Sequence, residues 1–235
     1  MNSDKLSNRL AKVADSIQKG SRIADIGSDH AYLPCYLAKK GIVTFAVAGE
    51  VAEGPYLSAQ NQVRLDGLSD IVQVRKGDGL EVIAAGEVDA ITIAGMGGPL
   101  IASILEKGKD RLKGVKRLVL QPNIGAYSVR KWLQENDWRL SEEFILKEDG
   151  KIYEILVAEA CLSGNNGMAL GEAELLFGPI LMKEKDEAFI EKWSAEKRNW
   201  ERIIGQLEAA APSEENKQRQ HATRNKITLA EEVLA

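Results

Sequence analysis

Three acidic residues, Asp25, Glu50 and Asp78, stand where successive short apolar runs give way to a turn or the opening of a helical pattern. Carboxylates at the carboxyl ends of neighbouring strands are how an α/β sheet holds a nucleoside, one of them reaching the ribose hydroxyls. Glu50, in Ala48-Gly-Glu-Val51, lies about 20 residues past the first turn, the spacing that ribose contact requires. Asp78, in Lys76-Gly-Asp-Gly-Leu80, is suited to accept from an exocyclic ring amine, with Val51 and Leu80 on either side of the ring. Beside the first acid stands a polar trio, Asp29, His30 and Tyr32, side chains able to align a nucleophile and accept a proton.

The first turn reads Asp25-Ile-Gly-Ser-Asp-His-Ala-Tyr-Leu-Pro34 and keeps one glycine, Gly27, where a dinucleotide fingerprint has three. Pyrophosphate needs close approach of bare backbone N–H groups, so a nicotinamide oxidoreductase is the weakest of the rival readings. A cofactor without phosphates suits the loop better, and S-adenosylmethionine carries only an ammonium, a carboxylate and a sulfonium. Its expected contacts are Asp25, Gly27, Ser28, Asp29 and His30 from the first loop, Glu50 and Val51 from the second, Asp78, Gly79 and Leu80 from the third, and Ala94, Gly95 and Met96 from the fourth.

In Ile93-Ala-Gly-Met-Gly-Gly98 the glycines Gly95, Gly97 and Gly98 either leave room for a substrate beside the sulfonium methyl or simply start the next helix, with Pro99 in its first turn. One strand later, Gln121, Pro122 and Asn123 either line a substrate pocket or form a turn. The Asn/Asp-Pro-Pro-aromatic motif usual for methylation of an exocyclic adenine amine is missing. A ring nitrogen attacks a sulfonium through its lone pair, so the protein chiefly aligns the reactants and stabilises charge developing on the base. Asp29 fits that role or proton acceptance, with His30 and Tyr32 positioning the base; it equally fits the cap of the helix that follows.

These residues need a sheet to hold them. Strand-like runs at 22–27, 44–51, 71–74, 89–96 and 117–121 alternate with helical patterns at 31–40, 55–66, 79–85, 99–112 and 127–136, which predicts a parallel sheet covered on both faces. Runs at 142–146 and 152–158, joined by Glu148-Asp-Gly-Lys151, predict a closing hairpin with one antiparallel strand. That is the arrangement of a Rossmann-like class I methyltransferase. Leu6, Leu10, Val13, Ala14 and Ile17 predict an amphipathic helix ahead of the first strand, capped by Ser7 or Ser3.

At Ser163-Gly-Asn-Asn-Gly167 the composition turns helical and charged, so the expected domains are 1–162 and 163–235. Leu175, Phe177, Ile180 and Leu181, then Phe189, Trp193, Trp200, Ile203, Ile204 and Leu207, predict a two-helix antiparallel coiled coil, ended by Ala209–Ala211 and Pro212 and followed by a mobile basic segment. Trp193 and Trp200 read as core rather than as a base-stacking platform.

The 235 residues carry a formal net charge of −4, which excludes a chain that coats nucleic acid nonspecifically. Residues 1–24 nevertheless hold Lys5, Arg9, Lys12, Lys19 and Arg22 against Asp4 and Asp15, and Lys217, Arg219, Arg224 and Lys226 form a second basic stretch. These are either solvated helix faces or phosphate contacts, with Lys5 and Arg9 the candidates for substrate. Cys35 and Cys161 have no C-x-x-C or histidine-rich partner, so both are expected as buried apolar residues with no metal site. No signal-peptide core or membrane-length apolar run occurs, and a cytoplasmic monomer is the expectation.

Ala24-Asp-Ile-Gly-Ser-Asp-His-Ala-Tyr-Leu-Pro34, Gly49-Glu50, Gly77-Asp-Gly-Leu80, Ile93-Ala-Gly-Met-Gly-Gly98 and Leu120-Gln-Pro-Asn123 together resemble the TrmK family of bacterial tRNA (adenine-22, N1) methyltransferases across residues 1 to about 160. The resemblance implies S-adenosylmethionine as donor, the D-loop region of a tRNA as substrate, Asp29 as the catalytic carboxylate, and a helical coiled-coil domain after the catalytic one. The residues by themselves also admit a methyltransferase for another RNA position or a small molecule, or a noncatalytic cofactor-dependent RNA-binding protein.

Overall fold

The computed structural model describes residues 2–161, 169–209 and 213–235; the turn expected at 163–167, and Ala210, Ala211 and Pro212, lie outside them. The chain divides into two compact units, Met1–Ala169 and Leu170–Ala235.

The first unit opens with α1 (Asn8–Asp15), where the Ser7 hydroxyl accepts from the Leu10 N–H at the N-cap. Then come β1 (Ser21–Ile26), α2 (Tyr32–Lys39), β2 (Val43–Glu50), α3 (Glu53–Leu65), β3 (Val72–Lys76), β4 (Ala90–Gly97), α4 (Gly98–Lys107), β5 (Arg117–Ile124), α5 (Ala126–Glu135), β6 (Trp138–Glu148) and β7 (Lys151–Ala160). They make one seven-stranded sheet in the order β3-β2-β1-β4-β5-β7-β6. Strands β1 to β5 pair in parallel, and β7 runs antiparallel to both β5 and β6.

Both faces of the central strands are buried because helices cover each side. Ile91, Ile93, Leu118 and Leu120 pack with Ile101 and Leu105 of α4 and Val129 and Leu133 of α5. On the opposite face Ile23, Ala46, Val119 and Val157 meet Val13 of α1, Leu33 and Leu37 of α2, and Val63 of α3. The strand order reverses between β1 and β4, and in open α/β sheets ligands bind at the carboxyl ends beside such a switch point.

Several elements differ from expectation. The helix at 79–85 is a single 3-10 turn, Gly79–Val82, because Gly79 has φ +55° and Leu80 and Val82 are drawn into the core. Helix α4 stops at Lys107, since Gly108 packs so closely on Leu80 that a Cβ there would lie 2.5 Å from the Leu80 side chain; a second 3-10 turn, Lys109–Leu112, follows. Strand β5 continues through Gln121, Pro122 and Asn123, so these form no turn. Pro122 fits there because the pairing of β5 with β7 already ends at Leu120. The β6–β7 hairpin is longer than predicted and turns through Asp149 and Gly150, both at positive φ as a two-residue mirror-image turn requires. Cys35 is buried but Cys161 is only half-buried.

The second unit holds α6 (Glu172–Phe177), α7 (Leu181–Glu184), α8 (Glu187–Ala209) and α9 (Glu214–Leu234). Phe177, Phe189, Trp193 and Trp200 form one buried aromatic cluster, with Phe177 edge-on to Trp193 at 4.6 Å. The expected mobile basic segment is instead the helix α9. The Ser213 hydroxyl caps it and Glu214 and Glu215 sit in its first turn, where the helix dipole favours acids. It lies antiparallel to α8 through Lys197–Glu231 at 3.1 Å and Arg224–Glu208 at 2.6 Å. The antiparallel pair is therefore α8 with α9, not residues 172–184 with 187–209, because Gly178 interrupts the first stretch.

Candidate active site

The loop after β1 is built from the inside. The N–H groups of Gly27 and Ser28 both donate to the Gly49 carbonyl, at 2.9 and 3.2 Å. Gly27 has φ +70°, and a Cβ there would run into the Met96 methyl. Asp25 is 4% exposed and accepts from the Ser28 hydroxyl on one oxygen and the Thr92 hydroxyl on the other, each at 2.6 Å. Burial pushes its carboxyl up to about 6, an effect that the two hydroxyls oppose and the nearby Glu50 adds to. Asp25 thus points into the protein and holds the loop, as does the buried Ser28.

Beyond Ser28 the chain takes an unusual path. Asp29, His30 and Ala31 have φ of +39°, +63° and +55°, three successive non-glycine residues in the left-handed region, each a strain of about 1–3 kcal/mol. What holds them is Glu50, whose carboxylate accepts the Asp29 N–H at 2.5 Å. Glu50 is buried, and burial raises its pKa, with the Asp29 charge adding to the rise and the Asp29 N–H and His30 opposing it. The strained path turns the trio outward. The Asp29 side chain is 73% exposed, His30 Nε2 lies 3.6 Å from its Oδ1, and the His30 ring stacks on Tyr32 with centroids 5.2 Å apart. Helix α2 starts at Tyr32 with Ala31 as N-cap and no side-chain cap, so Asp29 does not serve as the cap of that helix.

At the end of β3, Asp78 and Gly79 border a pocket of about 260 Å³ shared with Leu100, Ser103 and Ile104 of α4. Leu80, 2% exposed, is withdrawn into the core, so of the two side chains expected around a ring only Val51, 64% exposed, stands at the surface.

The ends of β4 and β5 are joined by polar groups. Gln121 is fully buried, and its Oε1 accepts from the Gly95 N–H at 2.9 Å and from Arg9 Nη1. Asn123 donates to the Gly95 carbonyl at 2.7 Å and is exposed, whereas Pro122 is buried. Ala94 and Met96 are half-buried beside the Gly27 loop. Gly97 is the N-cap of α4, and a Cβ on Gly98 would collide with the Gly125 carbonyl, so Gly98 is needed by the packing of α4 on the β5–α5 turn rather than by a ligand. Lys5 stands apart, exposed ahead of α1.

Thr92, Glu148 and Tyr153 complete this region and were not among the predicted residues. A lone hydroxyl inside the apolar run Ile91-Thr-Ile93 was a signal for Thr92; Glu148 and Tyr153, about 140 residues from Arg9, gave none. Among the described residues no group of three His, Cys, Asp or Glu could hold a metal ion, and no helix is long and apolar enough to cross a membrane. The strand ends thus present a buried carboxylate at Glu50, an exposed carboxylate at Asp29 beside a half-buried imidazole and phenol at His30 and Tyr32, and a cation at Arg9.

A family model described as TrmK, tRNA (adenine(22)-N(1))-methyltransferase, matches residues 23–232. The tRNA (adenine(22)-N(1))-methyltransferase of Bacillus subtilis (strain 168) is 51% identical over 236 residues, covering 100% of this chain and 99% of that protein. The crystal structure of the B. subtilis M1A22 tRNA methyltransferase TrmK superposes with a TM-score of 0.93 at 50% identity, covering 99% of this chain and 100% of that one. Streptococcus pneumoniae Sp1610, solved in complex with S-adenosyl-L-methionine, superposes with a TM-score of 0.87 at 41% identity, over 98% of this chain and 100% of that one.

Proposed function

The chain belongs to the TrmK family, tRNA (adenine(22)-N(1))-methyltransferase, and from that premise we infer that it methylates N1 of adenine 22 in tRNA with S-adenosylmethionine as donor. The observation that carries the reading to particular atoms is the outward trio Asp29, His30 and Tyr32, fixed to the buried Glu50 by a 2.5 Å hydrogen bond.

The donor set suits this cofactor, with carboxylates at Glu50 and Asp78 for a nucleoside and no glycine-rich cradle for phosphate. When bound, the cofactor supplies an electrophilic methyl group. Glu50 takes the ribose hydroxyls, Asp78 with the Gly79 and Leu80 backbone takes the adenine edge, and Val51 covers its ring. Gly27 and Ser28, with Ala94, Gly95 and Met96, enclose the methionine end. His30 and Tyr32 orient the target base. Asp29 would stabilise the positive charge that develops on the target base as it is alkylated, or accept the proton the alkylated base sheds.

The substrate lies over Gly97, Asn123 and the ends of β4 and β5, with Arg9 supplying charge and Lys5 a more distant phosphate contact. Residues 163–235, with α8 and α9 as a coiled coil, grip the tRNA elsewhere through cations such as Lys217, Arg219 and Lys226. The enzyme works in the cytoplasm as a monomer. Incubating the protein with labelled S-adenosylmethionine and tRNA, followed by nucleoside analysis and mapping of the modified position, tests the reading. We expect 1-methyladenosine at position 22; label in any other nucleoside would overturn it.

A further inference from the structure

Arg9 is held more firmly than a surface arginine needs to be. Its Nη1 donates to the buried Gln121 Oε1, and its guanidinium lies 5.2 Å above the Tyr153 ring. The start of its helix is fixed as well, with the N–H groups of Asn8 and Arg9 donating to Glu148 at 2.5 and 3.4 Å. Yet no carboxylate pairs with the Arg9 side chain among the described residues. The Gln121 oxygen that receives Arg9 also receives the Gly95 N–H, so the cation and the turn after β4 share one anchor. An oriented, half-buried guanidinium without a counter-ion has unused donors in a planar fork, a geometry that matches an oxyanion.

We propose that Arg9 is the receptor for a ligand oxyanion at the reacting centre, and that Gln121 is the positioning residue that aims it. The proposal rests on the methyltransferase reading, which offers two oxyanions there, the carboxylate of the donor's methionine end and an RNA phosphate beside the target base.

Two variants of the full-length protein test it, Arg9→Ala and Gln121→Glu. A glutamate at 121 keeps the acceptor for Gly95 and Arg9 and gives Arg9 a counter-ion, which a purely structural arginine would tolerate, at the cost of the 3.3 Å bond from Gln121 Nε2 to Asn123 Oδ1. Affinity for S-adenosylmethionine is read by calorimetry, and affinity for tRNA by fluorescence anisotropy across a range of salt. Arg9→Ala should weaken one of the two ligands about tenfold, and Gln121→Glu should weaken the same one. Loss confined to calorimetry identifies the carboxylate; a tRNA salt slope reduced by about one identifies a phosphate. Unchanged affinity of Arg9→Ala for both ligands would overturn the site, and that variant, half-exposed, decides it even where Gln121→Glu unfolds. A folded Gln121→Glu protein that binds both ligands like the parent would overturn the positioning role. Methyl transfer to tRNA by the parent protein is measured alongside: its absence would sink the functional reading and leave the binding result to judge Arg9.

Discussion

Asp25→Asn should stabilise the protein at neutral pH and leave it unchanged in acid. Both carboxylate oxygens of Asp25 are taken by hydroxyls, but the group is buried and its pKa stands at about 6 rather than the ordinary 3.8. The folded state therefore binds the proton more tightly than the unfolded chain, and stability falls as pH rises from the lower value to the higher. At about 1.36 kcal/mol per pH unit, the fold gives up about 3 kcal/mol by pH 7 to keep this charge. Asparagine has the same shape, can accept from one hydroxyl and can donate to the oxygen of the other. Urea unfolding of parent and variant, from about pH 4 to about pH 7.5, should give curves that meet in acid and separate by up to about 3 kcal/mol above pH 6. A difference that stays constant across that window, or a variant less stable than the parent at neutral pH, would refute the reasoning. The stabilised variant should also bind S-adenosylmethionine more weakly, since a negative charge beneath the loop complements the ligand's sulfonium and ammonium, a trade of stability for function.

Asp29→Asn, which suits the left-handed backbone at this position, should slow methyl transfer by about 10²–10⁴-fold with no change in melting temperature, because the carboxylate is exposed and caps nothing; unchanged methyl transfer would refute the catalytic role. Gly98→Ala, with its new Cβ driven into the Gly125 carbonyl, should cost about 1–3 kcal/mol in urea unfolding. Arg130 is wholly buried, with Nε donating to Glu143 at 2.6 Å and Nη2 to Glu154. Arg130→Met, measured the same way, should destabilise by about 3–5 kcal/mol, since it removes the cation between two buried acids.

The fold was legible because period and punctuation agree along most of the first unit. Apolar runs between helical patterns located all seven strands, and Asp149-Gly150 announced the hairpin that closes the sheet. Failures came where tertiary contacts override local preference. Gly79-Leu-Glu-Val82 reads as a helix until the core draws Leu80 and Val82 inward. Residues 214–234 read as a basic tail because few apolar residues mark an inner face, and their pairing with α8 comes from ions and from Ala230 and Val233 instead. In the site, sequence spacing brought the acids to the strand ends correctly but could not say which way they point. Asp25, expected as a ligand contact, bonds to Ser28 and Thr92, and Gln121, expected either in a substrate pocket or in a turn, lies in β5 and bonds to Gly95 and Arg9. Polar groups inside a sheet look the same in sequence whether they serve a ligand or a neighbouring loop.

The anchoring of α1 has a consequence for how the chain is made. Asn8 is fixed by Glu148, Ser16 accepts from Arg117 at 2.7 Å, and Lys12 sits 3.7 Å above the Phe144 ring. Every one of those partners is synthesised long after the helix itself. At about 5–20 residues per second, the 140 residues between Asn8 and Glu148 take roughly 7–28 s to emerge. An eight-residue helix is marginal alone in water; Val13 can meet Leu33 and Leu37 of α2 early, but the polar anchors at Arg117 and Glu148 come last. The Arg9 guanidinium gains the Tyr153 ring beneath it, and the start of α1 gains Glu148, only when the last hairpin is in place.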